Sequence, residues 1–84
     1  MPSAYNSGVA KGRYHLTLPG DLVGEPVIHT LGSRFGVVTT IRRANLEEGS
    51  GWIILEVEGT DQAIEDAVAW LRERGVTVDR IEGS

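Results

Sequence analysis

Eighty-four residues suffice for one two-layer domain with a single core, but not for a deep cavity walled on every side, so any ligand sits shallow or between subunits. Twelve acidic against eight basic residues leave a net charge of −4 with the arginines spread along the chain, which argues against nucleic acid or an anionic membrane as partner. With no cysteine there is no disulfide, no thiolate zinc site and no cysteine-held iron–sulfur cluster, a composition that suits a reducing compartment.

No apolar run approaches the length of a membrane span, and the first twelve residues lack the charged-then-apolar layout of a signal peptide, so direct membrane insertion is not expected and the location is expected to be cytoplasmic. Residues 1–11 are small and polar and are expected to form a flexible arm, with the folded domain at 12–82. Arg13-Tyr14-His15-Leu16-Thr17-Leu18 alternates polar and apolar, which predicts a half-buried strand that turns Tyr14, Leu16 and Leu18 to the core. Pro19-Gly20 ends it. Gly24-Glu25-Pro26 then opens a helix, because proline is tolerated in the first turn and an acid suits the positive helix end. Ile28, Leu31 and Phe35 stand at helical spacing and Gly36 supplies the stop.

A second strand is predicted at about 37–46 and a third from Gly51 to Glu58, joined by a turn at Glu48-Gly49-Ser50. Thr60 caps a second helix whose apolar stripe is Ile64, Ala67, Val68 and Leu71, and Gly75 ends it. Val76-Thr77-Val78-Asp79-Arg80-Ile81 is the last strand. The order βαββαβ is that of an α+β ferredoxin-like fold, a four-stranded antiparallel sheet with both helices on one face. Alternation turns Leu16, Leu18, Ile41, Ile53, Leu55, Val57, Val76 and Val78 to the helices. It sends His15, Thr17, Thr40, Arg42, Trp52, Ile54, Glu56, Asp79 and Ile81 to the open face. Arg42-Arg43, set side by side in a β-branched run, break the pattern: Arg42 belongs to the open face, while Arg43 either ends the core-facing alternation or marks a bulge that turns it outward.

Four segments carry a family resemblance: Leu-Thr-Leu-Pro-Gly-Asp-Leu-Val-Gly-Glu-Pro at 16–26, Arg-Phe-Gly-Val at 34–37, Ile-Arg-Arg-Ala-Asn-Leu-Glu-Glu at 41–48 and Ala-Trp-Leu-Arg-Glu-Arg-Gly-Val-Thr-Val at 69–78. Over roughly residues 13–82 the chain resembles the NIL domain, a ferredoxin-like module similar to ACT amino-acid sensors. Such domains sit at the C-terminus of the ATP-binding subunit of bacterial methionine importers, where they pair and bind methionine to restrain transport, and on some ferredoxins. The resemblance implies a small regulatory domain acting as a pair. It implies neither transport nor electron transfer, because the chain holds no Gly-rich Lys-Ser/Thr phosphate loop and no cysteines. The residues that name the family, Asn-Ile-Leu, align with Thr40-Ile41-Arg42, and Ile41 alone matches. Threonine offers less reach than an asparagine amide, and Arg42 places a cation able to grip a carboxylate where the family has an apolar contact. A more acidic ligand or an altered subunit contact is opened by that change.

The expected ligand site is therefore Thr40, Ile41 and Arg42, and the expected dimer or partner interface is His15 with Trp52, Ile54 and Ile81, since large apolar groups on a bare sheet face favour a cover. Trp70 and Phe35 read as core packing. No catalytic residue, metal ligand or cofactor site is expected: His15 and His29 lie on different elements, and the carboxylates show no ligand spacing. The leading expectation is a stand-alone regulatory homodimer that binds a small amino acid such as methionine and controls a partner protein in methionine or sulfur metabolism. The alternative is a ligand-free interaction domain that docks through its open face or an edge strand, for example on a ferredoxin or a sulfur-metabolism protein. RNA binding on the bare sheet is weaker, because Glu56 and Asp79 share that face with a lone Trp52.

Overall fold

The computed structural model describes residues 9–23, 25–47 and 49–81. The alternating first segment forms β1, Ala10–Pro19, and a single turn of 3-10 helix, Gly20–Leu22, follows with Leu22 buried in the core. Helix α1 spans Val27–Phe35, with Pro26 immediately before it and Gly36 after it at φ 73°, a left-handed stop that a glycine adopts without strain. Strands β2, Val38–Glu47, and β3, Ser50–Gly59, follow as a hairpin. Helix α2, Asp61–Glu73, and the short β4, Thr77–Arg80, complete the order.

The sheet runs β2-β3-β1-β4 with every pairing antiparallel, the ferredoxin-like arrangement expected from the element order. Strand β1 lies beside β3 along its whole length, from Ala10 opposite Gly59 to Pro19 opposite Ser50, but meets β4 only from Tyr14 to Thr17. Ala10 and Lys11, read as part of an arm, already belong to β1, because Gly59 and Glu58 extend the ladder opposite them; the remainder of that arm up to Gly8 lies outside the described residues.

The core is the inward set of β1 and β3 against the helix stripes. Leu16, Leu55 and Leu31 are its most enclosed members, with Ile53, Val57, Val78, Ala67 and Leu71 around them. On α1 the fully buried residues are Val27 and Leu31, with Ile28 and Phe35 half-buried, so the helix is turned slightly toward Val27 relative to the stripe read from spacing. Helix α2 follows its expected stripe. Its cap is also the expected one: Thr60 accepts a hydrogen bond from the Ala63 backbone N–H at 3.0 Å. Thr60→Ala should lower stability by about 1 kcal/mol, read as a shift of the urea midpoint without a change of slope.

Strand β2 departs from the expected burial. Register keeps Ile41 opposite Leu55, on the helix side, yet Ile41 is 53% exposed. β2 is an edge strand, and along it only Thr39 is even partly buried. Leu46, opposite Gly51 on the same side as Ile41, is 50% exposed, and Val38, opposite Glu58 on the helix-free face, is 63% exposed.

Candidate functional site

The pair Arg42-Arg43 sits on a β-bulge. Ile41 lies opposite Leu55 and Arg43 opposite the next residue of β3, Ile54, so Arg42 is the extra residue. Residues directly opposite in a ladder share a face. The partners of Arg43 and Asn45, Ile54 and Trp52, belong to the helix-free face, and so does Glu56 opposite Thr40. Of the two readings open for Arg43, the bulge is the observed one, and it sets Arg43 beside Ile54 instead of beneath the helices.

Glu56 is the electrostatic centre of this face. It accepts a 2.6 Å hydrogen bond from Arg13 Nη2, its cross-strand partner on β1, and Arg42 Nη1 stands 4.0 Å from its other oxygen. The hydrogen bond from Arg13 holds the Glu56 carboxyl below its ordinary range, aided by the charges of Arg42, Arg13 and Lys11 and opposed by desolvation. Arg13 Nε is buried without a hydrogen-bond partner. Arg43 takes part in no ion pair among the described residues, so of the two neighbouring cations it is the one not spent on Glu56.

Of the residues expected at an interface, His15, Trp52 and Ile54 lie side by side on the open face. His15 lies opposite Ile54, and its ring stacks on Trp52 with centroids 5.6 Å apart and planes 18° from parallel. The Ile81 N–H donates to the Arg13 carbonyl at 2.8 Å, which ties the end of the last strand to the same region. All four are half-buried within the single chain. Among the described residues the exposed large apolar groups are instead Val38, Ile41 and Leu46 on β2, together with Val9. Thr40, Ile41 and Arg42 are likewise exposed, with Thr40 on the open face and Ile41 on the helix side.

Residue reading alone missed three features: the salt bridge that anchors Glu56, which depends on cross-strand register; the bareness of β2, which depends on how the elements pack; and Arg43 as a cation with no ion pair among the described residues. The bulge had a sequence signal, two long charged residues in a β-branched run, but its position needed the pairing. Trp70 behaves as expected, packing against Phe35 at 5.9 Å between ring centroids. Among the described residues no group of His, Asp or Glu side chains is placed to hold a metal ion, and no helix is long and apolar enough to cross a membrane.

The structure thus combines a four-stranded sheet with one face free of helices, a bare edge strand and a cation cluster around a single carboxylate. Residues 12–80 match the model of the NIL domain, and the chain belongs to that family. It is 30% identical over 71 residues to the methionine import ATP-binding protein MetN of Myxococcus xanthus (strain DK1622), a match that takes in 80% of this chain but 22% of that protein. The chain thus spans about a fifth of the length of the curated relative it matches. Its fold is similar to the crystal structure of the C-terminal domain of an ABC transporter ATP-binding protein from Enterococcus faecalis. That match has a TM-score of 0.74 and 22% identity, and covers 98% of this chain and 92% of the other.

Proposed function

We propose that this NIL domain is a cytoplasmic, non-catalytic regulatory module that acts as a pair, binds a small amino acid of the methionine class, and thereby controls a partner protein. The observation that carries the reading is β2: a ten-residue edge strand, exposed nearly throughout, that presents Val38, Ile41 and Leu46 to solvent. An unpaired strand of that length with apolar side chains is a template for a second strand, and a two-fold axis beside it joins two sheets edge to edge. Thr40, Ile41 and Arg42 lie on this strand, so a ligand held there is shallow in one copy and enclosed by two. The similarity to a methionine import protein supports methionine or a relative as the ligand, and the arginines of the bulge favour a contact through its carboxylate.

Light scattering tests the pair. The parent chain should be dimeric at high micromolar concentration and Ile41→Lys monomeric, with melting unchanged at low concentration. Trp52→Glu probes the open-face interface of His15, Trp52, Ile54 and Ile81 independently. Monomers from Trp52→Glu but not from Ile41→Lys would move the pairing surface to that face. A second reading, a ligand-free docking domain, is favoured by the engagement of Arg42 with Glu56, which leaves less charge for a ligand. A parent chain that stays monomeric and whose melting temperature does not rise with millimolar amino acids would establish that reading in place of the first.

A further inference from the structure

At the opposite edge of the sheet the short β4 leaves a cleft. Its ladder to β1 ends at Tyr14, while α2 continues past that point, and the space between helix and sheet forms a hollow of about 300 Å³. The Tyr14, Ile64 and Val68 side chains give it an apolar floor. Tyr14 is fixed in place: its ring lies so close over Gly12 that a Cβ there would come within 2.8 Å of it. A more polar recess of about 170 Å³ adjoins the hollow and shares Tyr14, Ile64, Glu65 and Arg80 with it.

Two arginines stand on the wall of the apolar hollow. Arg72 Nη2 donates to the Val78 carbonyl at 3.0 Å, which pins the guanidinium across the gap between α2 and β4 and leaves its other N–H groups for a ligand. The Arg80 guanidinium lies 5.9 Å from the centre of the Tyr14 ring. Neither forms an ion pair among the described residues. Among the described residues Glu65 is the one acid on the same wall, so against Arg72 and Arg80 the lining carries a net positive charge in a chain whose total is −4. In the adjoining recess Lys11 and Asp61 balance each other.

We propose that this cleft is a ligand site separate from β2, built for a small monocarboxylate with an apolar body. The apolar part lies on Tyr14, Ile64 and Val68, and the carboxylate meets Arg80 and the free N–H groups of Arg72. A pair of planar cations matches one carboxylate well, while Glu65 beside them disfavours a phosphate or a dicarboxylate. The apolar floor in turn excludes an inorganic anion as the intended occupant. Because the sheet runs β2-β3-β1-β4, the cleft lies two strands away from the proposed pairing edge, and its occupation does not compete with the pair.

The test uses 3-phenylpropionate as probe and 3-phenylpropylamine as its cationic match, titrated into the full chain and followed by backbone amide shifts. The acid should give saturable shifts at residues 64–72 and 78–80, and the amine none. Arg80→Gln should weaken the acid by about 10-fold or more, with Arg80→Lys between it and the parent. Val68→Trp, which fills the floor, should abolish binding, while Arg34→Ala, which removes a cation of the first helix outside the cleft, leaves it unchanged. Equal binding of the amine would reduce the cleft to an apolar crevice and overturn the proposal. So would shifts confined to β2, or no saturable shift at about 20 mM acid, a concentration weaker than any useful affinity.

Discussion

Leu71→Ala should lower the unfolding free energy by about 2–5 kcal/mol, the range for deleting a buried leucine side chain and leaving a cavity. Leu71 is 2% exposed, near the C-terminal end of the α2 stripe, and the Leu71 carbonyl also accepts from the Val76 N–H at 3.0 Å as the chain turns into β4. The substitution removes side-chain packing and leaves that backbone bond in place, so the loss reports burial alone. A domain of this size has little stability to spare, and the variant should unfold at a much lower urea concentration. Glu73→Ala, two residues on and exposed, is the control and should fall within about 0.5 kcal/mol of the parent. Equal losses at the two positions would mean that the helix presents a different face to the sheet.

The contrast between Leu71 and Ile41 shows what the residue pattern carries and what it does not. Both are apolar, both stand in regular patterns, and both are on the helix side of the sheet. For α2 the 3.6-residue stripe is itself the surface that packs, so the pattern names the buried residues directly. For β2 the alternation names a side of the sheet but not whether anything lies over that side, and β2 is exposed along nearly its whole length. Turns and caps were legible for a similar reason: Thr60, Gly36 and Gly75 act through their own backbone neighbourhood, whereas the Arg13–Glu56 pair joins residues 43 positions apart and exists only through strand register.

The bulge also changes which arginine should matter most to a ligand on this face. Alternation alone selects Arg42, but Arg42 shares Glu56 with Arg13, so a carboxylate that approaches it meets a negative neighbour and must compete for the cation. Arg43 lies opposite Ile54, next to the His15–Trp52 stack, where an apolar side chain has a surface to rest on and the guanidinium has no acidic partner among the described residues. Arg43→Ala should therefore weaken amino-acid binding by about 1.5–3 kcal/mol, the range for a hydrogen bond to a charged group, as measured by calorimetry. Arg42→Ala should cost less, because Arg13 continues to hold Glu56 when Arg42 is gone. A larger loss at Arg42 would place the carboxylate at the Glu56 end of the face, with Arg42 turning away from Glu56 to meet it. If neither variant changes the affinity of a parent chain that does bind, the ligand is not held by the bulge, and the site moves off β2.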